Sequence, residues 1–196
     1  MFREFKLTFT KEVTSFIIQE YELASNILEY GSGGSTILAA SRGKTVVSTE
    51  TNASWLIELM GAYKEKGFSG DIIPIFCDIG ETKKWGYPKN EDKWKNWPAY
   101  SMSAWQYYIE HKINPDLILI DGRFRVACFL ASCINTTLPV RILFDDFVER
   151  SQYHIVKQII QPSEIIDNRL AVFDVEPGMV EAKFILNNLD TFYSPS

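Results

Sequence analysis

The sequence predicts an α/β domain on a doubly wound, mostly parallel sheet with helices on both faces. Three observations predict it. Short apolar runs alternate with segments of helical spacing from residue 10 to residue 160. Those apolar runs are nearly continuous, as in strands covered on both faces. The stretch "EIIDNRLAVFDVEP", 164–177, reads instead as a hairpin turning at Asp167-Asn168, which adds an antiparallel end to the sheet.

Each element has a local reason. Residues 10–24 have helical spacing, and Thr10 is placed to cap them. "NILEYG", 26–31, is a strand, and a helix starts at Gly34. "KTVVSTE", 44–50, is the second strand. Residues 52–67 form a helix opened by Asn52 and closed by Gly67. "DIIPIFCD", 71–78, is the third strand. "PDLILID", 115–121, is the fourth, started by a proline that cannot continue a helix. A helix over 123–134, the strand "VRILFDD" at 140–146 and a helix over 149–160 complete the alternation.

Residues 80–100, "GETKKWGYPKNEDKWKNWPAY", break this rhythm. They hold Trp85, Trp94 and Trp97, with lysines at 83, 84, 89, 93 and 95. So long a loop in a compact domain is usually functional or disordered, and its aromatic content argues against disorder. It reads as a lid or substrate loop. Aromatic and basic residues together also suit single-stranded nucleic acid, but the acidic chain favours the lid. The plainer alternative is tryptophans packed on the sheet edge.

With 196 residues, the chain is expected to be a single domain across 1–196, long enough for a sizeable core. A net charge of −5 disfavours a duplex nucleic-acid partner. No apolar run approaches the roughly 20 residues that span a bilayer. The start mixes charges of both signs and lacks the apolar core of a signal peptide. Cys77, Cys128 and Cys133 are odd in number, lack zinc spacing and sit in apolar stretches. They read as buried thiols of a reducing, cytoplasmic compartment. His111 and His154 are too scattered for a histidine metal cluster. Nothing decides between a monomer and a homo-oligomer.

The stretch "NILEYGSGGSTILAA", 26–40, sets three glycines between two ordered elements. In an open α/β sheet, ligands sit beyond the carboxyl ends of the strands, where strand order reverses. Gly31, Gly33 and Gly34 would form the first strand-to-helix turn there, with helix N–H groups beside it. Glu50 ends the next strand, 19 residues after Gly31, where a carboxylate accepts from ribose hydroxyls. The glycines therefore read as serving a ribose-bearing ligand, the alternative being a purely structural turn. A dinucleotide fingerprint would need glycine where Thr36 stands.

At these residues "LEYGSGGST" resembles the first motif of class I S-adenosylmethionine-dependent methyltransferases. It departs in the last position, because Gly34 comes one residue early and Ser35 takes the usual place. Glu50 is similar to that family's ribose-binding acid, Asp78 in "IFCDIG" to its adenine-binding acid, and "LILIDGRF" to its fourth-strand motif. The resemblance covers most of residues 10–176. It implies a Rossmann-like, seven-stranded sheet ordered 3-2-1-4-5-7-6, with S-adenosylmethionine as cofactor. It also implies methyl transfer to an oxygen or nitrogen of a small or medium-sized substrate. Glu29 and the turn Gly31, Ser32, Gly33 and Gly34 would lie near the methionine part. Glu50 would bind ribose, and Asp78 with the backbone of Ile79 would face adenine. Read alone, Asp78 is also a plain strand-end cap.

Asp121 ends the fourth strand, and Asp145 and Asp146 end the fifth. Three carboxylates gathered there repel one another unless a cation or a proton intervenes. Hard oxygen ligands suit Mg²⁺ or Ca²⁺. The pattern resembles metal-dependent O-methyltransferases, which implies Mg²⁺ holding a substrate hydroxyl. Arg123 and Arg125 follow Asp121, however. An arginine could replace the cation, or Arg123 could bind an anionic substrate. Asp121 and Arg123 are the candidate catalytic residues, with Asp121 acting as base or positioning group. Methyl transfer needs alignment more than a triad, and Ser32 and Ser35 have no histidine partner. A non-catalytic descendant that binds the cofactor or a partner is the alternative.

Overall fold

The structure is a computed structural model that describes residues 3–196. Its strands are β1 (Asn26–Tyr30), β2 (Thr45–Glu50), β3 (Ile72–Phe76), β4 (Leu117–Ile120), β5 (Val140–Phe144), β6 (Glu164–Ile166) and β7 (Leu170–Val175). They form one sheet in the order β3-β2-β1-β4-β5-β7-β6. β1 to β5 pair in parallel, and β7 runs antiparallel to both β5 and β6. The expected order and the reversed last strand are both present. So is the hairpin turn: Asp167 and Asn168 both have positive φ, and Arg169 N–H donates to Ile166 O at 3.0 Å.

The strand period of two sorts the core into two layers. Ile27, Leu117, Leu119, Leu143, Leu170 and Val172 face α1 (Lys11–Leu23), α2 (Gly34–Ser41) and α3 (Ala53–Lys66). Their alternates Leu28, Ile118, Ile120, Ile142 and Phe144 face α4 (Pro98–His111) and α5 (Arg125–Asn135). Residues 126–133 of α5 are all buried, because the 3₁₀ segment Ser151–Gln158 and the C-terminal Phe192 cover its far side.

The caps behave as the sequence implies. Thr10 Oγ1 accepts from Val13 N–H and Asn52 Oδ1 from Trp55 N–H. Each such cap is worth about 1 kcal/mol. Gly67 closes α3 at φ 60°. Among the described residues no helix is long and apolar enough to cross a membrane.

One segment differs from expectation, and two others take a form the sequence left open. The helix expected over 149–160 is a 3₁₀ segment. Its inward residues Tyr153, Val156 and Ile159 are three apart, which three residues per turn places on one side. The stretch 80–100 is ordered rather than irregular. A narrow hairpin forms where Lys83 N–H donates to Tyr87 O and Lys89 N–H to Glu81 O. A 3₁₀ turn at Trp94–Asn96 follows, and α4 begins at Pro98. Finally, α6 (Ala182–Asn187) and a last 3₁₀ turn bring Tyr193 within 5.5 Å of Trp94, ring to ring.

Candidate functional site

The chain leaves β1 for β2 and β3 on one side and returns to β4 on the other. The switch point therefore lies between the carboxyl ends of β1 and β4. The backbones approach closely there. A Cβ on Gly31, whose φ is +104°, would lie 2.9 Å from the Gly122 Cα. The turn is braced from β2 and α3: Ser32 Oγ lies 2.6 Å from Ser48 Oγ, and Trp55 Nε1 donates to Ser32 O at 2.7 Å. A Cβ on Gly33 would meet nothing within 4 Å, so this part of the turn has room beside it. Gly34 serves another purpose. A Cβ there would lie 2.5 Å from the Lys6 carbonyl, so its bare backbone admits the chain's own N-terminal segment. That segment is clasped by Trp55, which Phe5 meets edge-on at 4.9 Å and Arg3 covers at 4.6 Å.

Glu29 shares the parity of Ile27 and so faces the α1–α2 layer. Tyr21 and Thr36 hydroxyls donate to its carboxylate, each at 2.5 Å, and it is fully buried. Burial pushes its pKa up to about 7, against the pull of these donors. In this position it braces α1 and α2 beneath the glycine turn.

Glu50 stands at the end of β2. Its Oε1 accepts from Thr51 and Asn52 N–H at 2.7 and 2.9 Å, and its Oε2 from Ser32 N–H at 3.4 Å. Burial raises its pKa. Asp78, beyond β3, is exposed. It accepts from Gly80 N–H at 3.2 Å and pairs with Lys93, which lowers its pKa, the lysine hydrogen bond most of all. Ile79 is buried, its N–H donating to Cys77 O and its carbonyl accepting from Trp97 Nε1. An open cleft of about 460 Å³ runs along these strand ends, lined by Thr51, Asn52, Phe76, Asp78, Glu81 and Lys93.

The second constellation gathers as the topology requires, and arginines occupy it. Arg125 Nη2 lies 3.0 Å from Asp121 Oδ1, and Arg125 Nη1 lies 3.4 Å from Asp146 Oδ2. Arg169 grips Asp145 with two hydrogen bonds, at 2.8 and 2.7 Å, and Arg150 reaches Asp146 at 3.0 Å. The metal expected on Asp121, Asp145 and Asp146 does not fit this donor set. Each carboxylate already has a fixed guanidinium partner. Among the described residues no group of three or more His, Cys, Asp or Glu is arranged to hold a metal ion. Burial pushes the Asp121 carboxyl up, Arg125 pulls it down, and the Asp145 and Asp146 carboxylates add to the rise.

Arg123 stands apart. It is 7% exposed, its Nε and Nη1 are buried without a hydrogen-bond partner, and its Cζ lies 4.2 Å over the Tyr87 ring. Tyr87 comes from the hairpin at 81–89, whose tip also reaches β2: a Cβ on Gly86 would lie 3.0 Å from Thr51 Oγ1 and 3.7 Å from Arg123 Cγ. The hairpin thus spans the edge from β2 to β4. Tyr153 is fully buried, and its hydroxyl too lacks a partner. Its ring lies 5.8 Å from the Arg125 Cζ and 5.9 Å from the Arg150 Cζ. Phe124, three residues after Asp121, and Asp146 itself have left-handed backbones, at φ 53° and φ 54°, a strain that often marks functional turns.

Arg150, Arg169, Tyr87 and Tyr153 were not singled out as site residues in the sequence. A signal existed for one, since Asp146 and Arg150 lie four apart, as do Asp121 and Arg125. Arg169 and the tyrosines carried none.

No family profile matches the chain, and no curated protein matches it. Solved structures do. A methyltransferase-like protein from Silicibacter pomeroyi is 36% identical, over 98% of this chain and 99% of that one, with a TM-score of 0.90. A domain described as a precorrin-6Y C5,15-methyltransferase from Corynebacterium diphtheriae is 13% identical, over 86% of this chain and 98% of that one, with a TM-score of 0.51. The second likeness is one of fold alone.

Proposed function

The chain belongs to the class I S-adenosylmethionine-dependent methyltransferase family, and from that premise we propose that it transfers a methyl group from S-adenosylmethionine to an oxygen or nitrogen of a small or medium-sized substrate. The observation that carries this reading is the strand edge at the β1–β4 switch point. There the open side of the Gly33 turn, the Glu50 carboxylate and the cleft beside Asp78 lie along one line of strand ends. Bound there, S-adenosylmethionine would supply an already activated methyl.

The chain's own residues would then do three things. Glu50 would accept from the ribose hydroxyls through Oε2, since Oε1 is engaged by the Thr51 and Asn52 amides. Asp78 and the Lys93 paired with it would border the adenine end. Both backbone polar groups of Ile79 already have partners, so its part at the adenine is an apolar floor. Asp121 ends β4 beside the reacting centre, with one carboxylate oxygen held by Arg125. Its raised pKa suits a group that takes the proton a hydroxyl or amine acceptor must lose. The acceptor's lone pair forms the bond to the methyl carbon, and the carbon–sulfur pair leaves with sulfur. Alignment and exclusion of water would supply most of the rate, and the 81–89 hairpin is the element placed to exclude water.

Calorimetric titration with S-adenosylmethionine, S-adenosylhomocysteine and NAD tests the reading. Binding of the two sulfur ligands and not of NAD is expected. Absence of binding by either sulfur ligand overturns the proposal. Asp121→Ala should keep cofactor affinity and abolish turnover, whereas a purely cofactor-binding protein would show no turnover in the native chain.

A further inference from the structure

We propose that Arg123, with the Tyr153 hydroxyl as a second donor on the same side of the strand edge, is a binding site for an oxyanion, carboxylate or phosphate, carried by the methyl acceptor. The word acceptor rests on the methyl-transfer reading; the oxyanion site itself does not. Asp121, Asp145 and Asp146 engage Arg125, Arg150 and Arg169, each carboxylate having at least one guanidinium within 3.0 Å. Arg123 is the arginine left over, and among the described residues it makes no ion pair within 4.0 Å. A guanidinium with five donors and no acceptor is rarely buried. When one is, an unfilled ligand position is among the few physical explanations.

The surroundings select an anion and locate it. The Tyr87 ring stacked on one face of the guanidinium leaves the in-plane N–H groups, the unpartnered Nε and Nη1 among them, as the route to an acceptor. Each bidentate edge, Nε with Nη2 or Nη1 with Nη2, presents two parallel N–H groups and includes one of the unpartnered nitrogens, the geometry that carboxylate and phosphate oxygens match. The Tyr153 hydroxyl is the second unpartnered buried donor of this region. It sits on the segment that follows β5, among the same arginines, so the two orphans bracket the β4–β5 side of the edge. Glu50 and Asp78 end β2 and β3, on the opposite side of β1. An oxyanion at Arg123 therefore belongs to the second ligand rather than to the adenosine part of the first. Tyr87 covers it from the hairpin, so that ligand enters as the hairpin lifts.

The probes are inorganic phosphate and benzoate, titrated into the native protein with and without saturating S-adenosylhomocysteine. One of them should bind, and preference for phosphate or benzoate distinguishes the two sources of the oxyanion. Arg123→Gln should weaken that probe roughly tenfold, as loss of a charge-assisted pair implies, and leave the S-adenosylhomocysteine affinity unchanged. Tyr153→Phe should weaken it less. Arg123→Lys, which keeps the charge but not the fork, serves if the glutamine variant fails to fold. Failure of both probes to bind overturns the proposal, as does equal binding by the variants. Loss of S-adenosylhomocysteine affinity in Arg123→Gln also overturns it, by assigning the guanidinium to the cofactor's carboxylate. Arg123-dependent probe binding in a protein that ignores S-adenosylhomocysteine sustains the oxyanion site and removes the methyl-transfer reading.

Discussion

The Arg125 guanidinium lies 3.0 Å from the Asp121 carboxylate, and the same side chain donates to the Asp145 carbonyl at 2.6 Å, so one residue at the start of α5 joins the ends of β4 and β5. Removing it strands a largely buried carboxylate next to two others. Arg125→Ala should therefore destabilise the domain by about 3–5 kcal/mol. At this size that is a fall in melting temperature of roughly 10 °C. Urea denaturation measures the first quantity and calorimetry the second. Because the arginines already neutralise the cluster, millimolar Mg²⁺ should leave the native melting temperature unchanged. A clear rise would restore the metal reading.

Glu29 makes stability depend on pH. Its folded pKa of about 7 lies above its ordinary value of 4.5. The folded state therefore binds this proton more tightly than the unfolded chain does. The stabilisation is complete below pH 4.5 and disappears as pH rises through 7, a loss of roughly 3 kcal/mol. Glu29→Gln, which mimics the protonated carboxyl, should flatten that slope and gain on the native protein at pH 8. Unfolding free energies at pH 4.5 and pH 8 decide it; parallel slopes for the two proteins would rule it out.

Gly34 is a packing glycine by this structure. Gly34→Ala would drive a Cβ into the Lys6 carbonyl, and backbone cannot move aside as a side chain can. A destabilisation of about 1–3 kcal/mol is expected. Amide exchange should quicken over residues 3–9. Unchanged exchange there would mean that the N-terminal segment does not depend on this contact.

Glu50→Gln tests the ribose assignment. The substitution puts an amide donor in place of one of the two acceptor oxygens, of which only Oε2 is open to ribose, with little change in volume. S-adenosylhomocysteine affinity should fall about tenfold, with the fold intact by circular dichroism. Unaltered affinity would remove Glu50 from the site.

Much of this architecture is legible in local chemistry. Thr10, Asn52 and Gly67 mark helix ends because a cap is a contact within four residues. Asp167-Asn168 marks the hairpin because both residues tolerate positive φ. The strand ends that carry Glu50, Asp78, Asp121 and Asp145 follow from the same periodicity. The 3₁₀ form of 151–158 was not legible, since a stripe of every third residue over eight positions also suits an α-helix.

By itself, then, the sequence determined the order of the elements, the parallel sheet and the carboxyl edge on which the candidate residues meet. These depend on hydrophobic period and turn residues, which act over a few positions. Only the tertiary structure decided what those residues do there. It set Glu29 against the Tyr21 hydroxyl, spent Gly34 on the Lys6 backbone, and joined Asp145 to an arginine 24 positions away. It left Arg123 without an acceptor. Partner choice among charged side chains is set by distances of 3 to 4 Å between segments remote in sequence, and no local pattern carries that information.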